Sequence, residues 1–112
     1  MKAINIAEII ATGVNHHPEI MKKTILERGE IPQLMMFGQA TFTPSQSVDT
    51  HSHDTMYEVF YILSGKASFV IEGKEVIAEP GTTVVIEPNE KHSQSNPFET
   101  DVVWIYFGIA ID

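Results

Sequence analysis

Two histidines one residue apart sit in Asp49-Thr50-His51-Ser52-His53-Asp54. On an extended strand, residues i and i+2 share a face, so the imidazoles of His51 and His53 project side by side. A first-row transition metal needs that spacing for two adjacent nitrogen ligands. Glu58 follows closely and supplies a carboxylate. Its odd offset from His53 puts it on the opposite face of a flat strand, so Asp54 to Tyr57 must turn or bulge before it can meet the same point. His92 is the fourth candidate, just after Pro88-Asn89, where a late strand folding back would reach the same interior. A hydrogen-bonded core histidine and a solvated strand face are the plainer readings, and the spacing of His51, His53 and Glu58 alone leaves them open.

The elements that position these residues are short and rich in β-branched and aromatic side chains, which reads as strands. Candidates are Lys23 to Glu27, Leu34 to Thr43, Glu58 to Leu63, Lys66 to Ile71, Lys74 to Glu79, Thr82 to Glu87 and Val102 to Ile111. Ser64-Gly65, Glu72-Gly73-Lys74, Pro80-Gly81 and Pro88-Asn89 punctuate them, and glycine accepts the positive φ of tight turns. Many short strands at close spacing with no long helical pattern predict a sandwich or a closed barrel. Ala3 to Ile10 fits neither helical nor strand period; it adds to a neighbouring subunit's sheet edge or packs over its own barrel.

Composition narrows the function. The chain has 112 residues, enough for one core, with 43% hydrophobic and 20% charged residues as in ordinary globular domains. It has no cysteine, which excludes disulfides, a thiol nucleophile and thiolate metal sites. Seven basic against fifteen acidic side chains give a net charge of -8, which disfavours nucleic acid and anionic membrane surfaces. No apolar run is long enough to span a membrane. MKAINIAEIIATG makes a poor signal peptide, so the expected location is cytoplasmic. Nucleotide-binding glycine loops and a nucleophile elbow are absent.

Two stretches resemble the motifs of the cupin superfamily. The first, G-x5-H-x-H-x3,4-E-x6-G, is matched by Ser45, His51, His53, Glu58 and Gly65. The second, G-x5-P-x-G-x2-H-x3-N, is matched by Gly81, Glu87, Asn89, His92 and Asn96. Three positions depart: Ser45 and Asn89 stand in place of glycine, and Glu87 in place of proline. All three are turn positions, and asparagine tolerates a left-handed backbone best among non-glycine residues. The resemblance implies an all-β, single-domain cupin-type jelly-roll β-barrel (a double-stranded β-helix). Residues 1–30 form a short N-terminal extension packed on the barrel or on a partner subunit, and residues 31–112 form the barrel. It also implies one divalent metal per chain, held by His51, His53, Glu58 and His92.

Three imidazoles and a carboxylate suit Mn, Fe, Co, Ni, Cu or Zn and suit Ca or Mg poorly. On an octahedral ion they leave two positions open, as a catalytic site requires. Each ligand histidine needs an acceptor for its other N–H, and Gln39, Thr41, Ser93 and Gln94 qualify by type. Alternation from Glu58 turns Phe60 and Ile62 inward and Val59 and Tyr61 outward. On Leu34 to Thr43, either the Met35 face or the Met36 face can look at the site. Trp104 and Tyr106 share one face of the last strand. Tyr57, Tyr61 and Tyr106 are the candidate acid–base groups. Neither Arg nor Lys is expected among the pocket strands: Lys22-Lys23 and Glu27-Arg28 read as solvated charge, and His16-His17 as exposed loop residues or a second metal site.

The favoured function is a small metal-dependent enzyme acting on a small organic molecule, with redox or dioxygenase-like chemistry at Mn or Fe. A sugar isomerase or epimerase, and a non-catalytic small-molecule binding or sensing module, are the alternatives. The run VVWIYFGIAI carries too many apolar residues for one buried face, so a homodimer is expected.

Overall fold

The computed structural model describes residues 1–15 and 17–112. Among the described residues, a three-residue 3-10 helix at Ile6–Glu8 is followed by nine strands. These are β1 (Thr12–Val14), β2 (His17–Leu26), β3 (Leu34–Phe42), β4 (Met56–Ser64), β5 (Ala67–Ile71), β6 (Lys74–Ala78), β7 (Thr83–Ile86), β8 (His92–Ser95) and β9 (Val102–Ala110). They form a six-stranded sheet in the order β1-β2-β3-β9-β4-β7 and a three-stranded sheet in the order β6-β5-β8. All pairings are antiparallel. The all-β jelly-roll expectation is met, as two hydrogen-bonded sheets facing each other. The strand β9, last in chain order, lies between β3 and β4 in the middle of the larger sheet.

Alternation builds the core. Along β4, Glu58, Phe60 and Ile62 are buried while Tyr57, Tyr61 and Leu63 are exposed. On β3 the inward face is Gly38, Ala40 and Phe42, and on β9 it is Val102, Trp104 and Gly108. Trp104 packs on Phe42 with ring centroids 4.5 Å apart, and Phe60 and Phe69 close the cluster from both sheets. This aromatic plug fills one part of the interior and leaves the rest as a cavity.

The turns follow their sequence signals. Gly65, Gly73 and Gly81 all have positive φ. So do Ser45 (φ 75°) and Asn89 (φ 71°), the two positions where the cupin motifs carry glycine. Asn96 is fully buried and acts as a rivet: its Nδ2 donates to the carbonyls of Phe42 (2.9 Å) and Thr100 (2.8 Å), and its Oδ1 accepts from Phe98 N.

Three elements differ from the sequence reading. The strand β2 begins at His17 rather than Lys23, so His17 belongs to a strand and not to an exposed loop; His16 lies outside the described residues. Pro18 and the charges at Glu19, Lys22 and Lys23 disguise the strand, yet Ile20, Lys22 and Thr24 keep strict alternation. The strand β8 has the polar sequence His-Ser-Gln-Ser, because it faces a polar site rather than a greasy core. The short β1 pairs with β2 through a bulge at Gly13/Val14. The segment before β1 lies against β2: Lys23 Nζ donates to Ile6 O at 3.2 Å, and Lys2 pairs with Glu30.

Candidate metal centre

The loop between β3 and β4 runs alongside β8. His51 and His92 face each other there and exchange both backbone hydrogen bonds, each 2.9 Å long. Asn89 N donates to His53 O at 2.6 Å, so the same loop is pinned again two residues on. Glu58 then enters from β4, after the chain turns between Asp54 and Met56. That turn resolves the odd offset between His53 and Glu58.

The four side chains meet. One ligand atom from each of His51, His53, Glu58 and His92 lies within 4.8 Å of the others. The imidazole centroids are 4.3 to 5.3 Å apart. His92 is fully buried and Glu58 is 8% exposed. Glu58 Oε1 stands 3.2 Å from His53 Nε2 and 3.3 Å from His92 Nε2, yet neither contact has the alignment of a hydrogen bond. These three buried atoms therefore lack proper partners, which is costly unless something between them satisfies all three.

The tautomers point the same way. His51 Nδ1 lies 2.8 Å from Asp49 O, and His92 Nδ1 lies 3.0 Å from Glu90 O. A carbonyl only accepts, so both Nδ1 atoms carry the proton and both Nε2 lone pairs are available to the cluster. The acceptors are thus backbone carbonyls two residues upstream, not the Gln39, Thr41, Ser93 or Gln94 side chains expected from type. Burial pushes the Glu58 carboxyl up, but the adjacent imidazoles of His53 and His92 outweigh it and hold it at about 2. Burial pushes His92 down, and its contacts with Glu58 and Glu90 outweigh this, so it is raised overall. A dianion-free, three-nitrogen, one-carboxylate cradle of this kind can hold one transition-metal ion.

A cavity of about 700 Å³ opens beside the cluster. Its walls include Met56, Phe60 and Trp104 and, from β3, Met36, Ala40 and Phe42, so the Met36 face of β3 is the one that looks at the site, with Met35 as the one lining residue from the other face. Gly108, opposite Glu58 in the sheet, makes room for Met36 and Met56: a Cβ there would lie 2.7 and 2.8 Å from their sulfurs. Of the three tyrosines, Tyr106 lines the cavity, while Tyr57 and Tyr61 are 42% and 44% exposed on the other face of the sheet. Burial and then the Glu58 charge push the Tyr106 phenol up to about 12. The expectation of a pocket without cations is overturned. Lys22, half-buried on β2, lines the wall, and exposed Arg28 lines the mouth together with Glu27 and Asp49. Starting β2 at Lys23 left Lys22 outside the strand, as solvated charge; alternation from Ile20 was the signal that could have found it. His17 also lines the cavity, paired at 3.6 Å with Glu19.

Residues 38–108, more than half of the chain, match the Cupin domain family. The chain belongs to the cupins. Thermotoga maritima has a curated oxalate-binding protein to which this cupin is 31% identical over 70 residues. That alignment covers 62% of this chain and 58% of the relative, so the cupin matches less than two thirds of the relative's length. Among solved structures, a predicted oxalate decarboxylase from Thermotoga maritima superimposes with a TM-score of 0.90 at 23% identity, covering 98% of this cupin and 100% of that chain. The polyketide cyclase RemF from Streptomyces resistomycificus gives 0.83 at 17% identity over 100% of this cupin and 82% of that chain. The cupin domain of an XRE family transcriptional regulator from Enterobacter cloacae gives 0.73 at 15% identity, covering 80% and 95%. At these identities the structural likenesses establish the fold, and they join enzymes and a regulator on one scaffold. No helix among the described residues is long and apolar enough to cross a membrane.

Proposed function

We propose that this cupin is a mononuclear transition-metal protein that binds and transforms a small oxygen-donor organic molecule, a carboxylate above all. The supporting observation is the convergence of His53 Nε2, Glu58 Oε1 and His92 Nε2, buried and without hydrogen-bond partners, beside a cavity of about 700 Å³. The printed name of the Thermotoga relative, an oxalate-binding protein, supports a carboxylate ligand. An ion in this cradle, with Mn or Fe favoured, supplies Lewis-acid polarisation of a bound oxygen and one-electron redox chemistry.

The chain's own residues do the rest. Asp49 O and Glu90 O fix the rings of His51 and His92. Phe60, Trp104 and the methionines keep the inner wall dry, which strengthens every polar contact made there. Tyr106, whose phenol is held protonated, is placed to donate a hydrogen bond to a ligand oxygen and is the one tyrosine we retain as an acid. Binding without turnover is the second reading, favoured by the same relative's name.

Plasma mass spectrometry on purified protein is the test, with the double variant His51→Ala/His53→Ala beside it. About one Mn, Fe, Co, Ni, Cu or Zn per chain, lost in the variant, is the expected result. A wild-type protein that holds none of these ions and refuses them when added would overturn the proposal. Loss of oxalate, or of a longer dicarboxylate, on incubation with the loaded protein separates the enzyme from the binding module.

A further inference from the structure

Successive cross-strand rows of the large sheet lead away from the metal cradle. The first row is Glu58, Gly108 and Met36. The next is Phe60, Tyr106, Gly38 and Thr24, and the third is Ile62, Trp104, Ala40 and Lys22. All these residues occupy the inward face, and adjacent rows are about 7 Å apart along the strands.

The polar groups on these rows are arranged toward the cavity. A Cβ on Gly38 would lie 2.8 Å from Tyr106 Oη, so the phenol leans across Gly38 toward the strand that carries Thr24. Lys22 is half-buried one row further, and no carboxylate among the described residues lies within ion-pair distance of it. Exposed Glu27, Arg28 and Asp49 sit at the mouth, where water screens them. From the opposite sheet, Gln94 projects into the cavity two residues beyond His92, and its Oε1 is buried with no partner. An amide, a phenol, a hydroxyl and an ammonium thus line the same cavity as the cradle, the last three one to two rows from it. The unpaired, half-buried Lys22 ammonium calls for an anion, whereas the orphaned Gln94 Oε1 is an acceptor and calls for a donor such as that ammonium.

We infer that Lys22, with Thr24, Tyr106 and Gln94, forms an anion subsite that reads the far end of the ligand. The inference rests on the proposed metal function and narrows its substrate class. The ligand is an organic acid with two polar ends, one oxygen donor at the metal and one carboxylate at Lys22. Lys22 stands two rows, about 14 Å, from the cradle row; its own extended side chain spans about half of that, so the ligand's carbon chain must bridge about 7 Å against the apolar wall of Phe60 and Trp104, longer than oxalate can reach. The Lys22 aliphatic stem lies along that wall while its ammonium meets the carboxylate.

Cobalt(II)-loaded protein tests this, because visible absorption of the ion reports any ligand that reaches it. Oxalate, succinate, glutarate and adipate are titrated beside pentanoate and hexanoate. Glutarate or adipate should bind about tenfold more tightly than the monocarboxylate of equal length, the worth of one charged hydrogen bond in a screened site. Lys22→Met should erase that gap, and Lys22→Arg should retain most of it. Equal affinities for dicarboxylates and monocarboxylates in the wild type, or a gap that survives in a folded Lys22→Met protein, would overturn the subsite and leave the metal proposal standing. A wild-type protein that binds no cobalt overturns the metal proposal, and the subsite with it. The wild-type series and Lys22→Arg decide the matter even if Lys22→Met does not fold.

Discussion

Glu58 and His92 titrate in opposite senses, and this sets the pH behaviour of the site. The Glu58 carboxyl is depressed, so its contribution to stability is present above the ordinary carboxylate range and is lost as pH falls toward about 2. The His92 imidazole is raised, so its contribution is complete below the ordinary imidazole value and disappears as pH rises through the raised one. Together these two groups stabilise the metal-free protein most under mildly acidic conditions. A metal ion must displace the His92 proton, so the rise in Tm on adding one equivalent of Mn or Zn grows with pH. Thermal melts from about pH 5 to about pH 9, across the histidine range, check this; a rise independent of pH would remove His92 from the ligand set. The four candidate ligands were legible in the sequence through the resemblance to the cupin motifs; alternation alone paired His51 with His53 and left Glu58 and His92 open. Their supporting acceptors were not, since Asp49 O and Glu90 O are main-chain atoms that any residue could supply.

Strands carry the site through what they leave out as much as through what they present. At Gly38 an added Cβ would lie 2.8 Å from both the Lys23 carbonyl and Tyr106 Oη. The carbonyl belongs to a paired strand and cannot step aside. Gly38→Ala is expected to cost about 1–3 kcal/mol and to displace the phenol from the cavity. Urea denaturation measures the first effect, and the near-ultraviolet circular dichroism of Tyr106 the second; a variant matching the wild type in both would show that the close approach is not a constraint. Strands with greasy inward faces, such as β3, β4 and β9, were readable from alternation. The strand β8 and the first half of β2 were not, because each exchanges apolar residues for polar ones: on β2 Lys22, facing the cavity, and on β8 His92, at the metal cradle, and Gln94, facing the cavity. The two segments hardest to recognise as strands are thus the two that furnish most of the proposed ligand contacts.

The molecule has a second apolar surface besides its core. On the outer face of the large sheet, Val59, Phe107 and Phe37 form one cross-strand row, Tyr61 and Ile105 the next, with Tyr57, Val85 and Ile109 exposed around them. A contiguous patch of this kind favours self-association through the patch, working against the mutual repulsion of chains with net charge -8. Light scattering at micromolar concentration should give twice the chain mass, and Tyr61→Glu/Ile109→Glu should halve it while leaving metal content unchanged. A monomeric wild type would sink this prediction. The apolar excess of VVWIYFGIAI pointed to such a face, whereas the split into two sheets was not readable, because pairing partners far apart in sequence leave no local signal. The placement of β9 has a temporal consequence. Nine strands are synthesised in order, but β3 and β4 become neighbours only through β9, the last of them. A nascent chain carrying His51, His53, Glu58 and even His92 still lacks the strand that seats Glu58 beside Gly108. Folding must therefore wait for translation to reach the end of β9, and a ribosome-bound chain stalled before Val102 would expose both β3 and β4 edges to whatever strand arrives first.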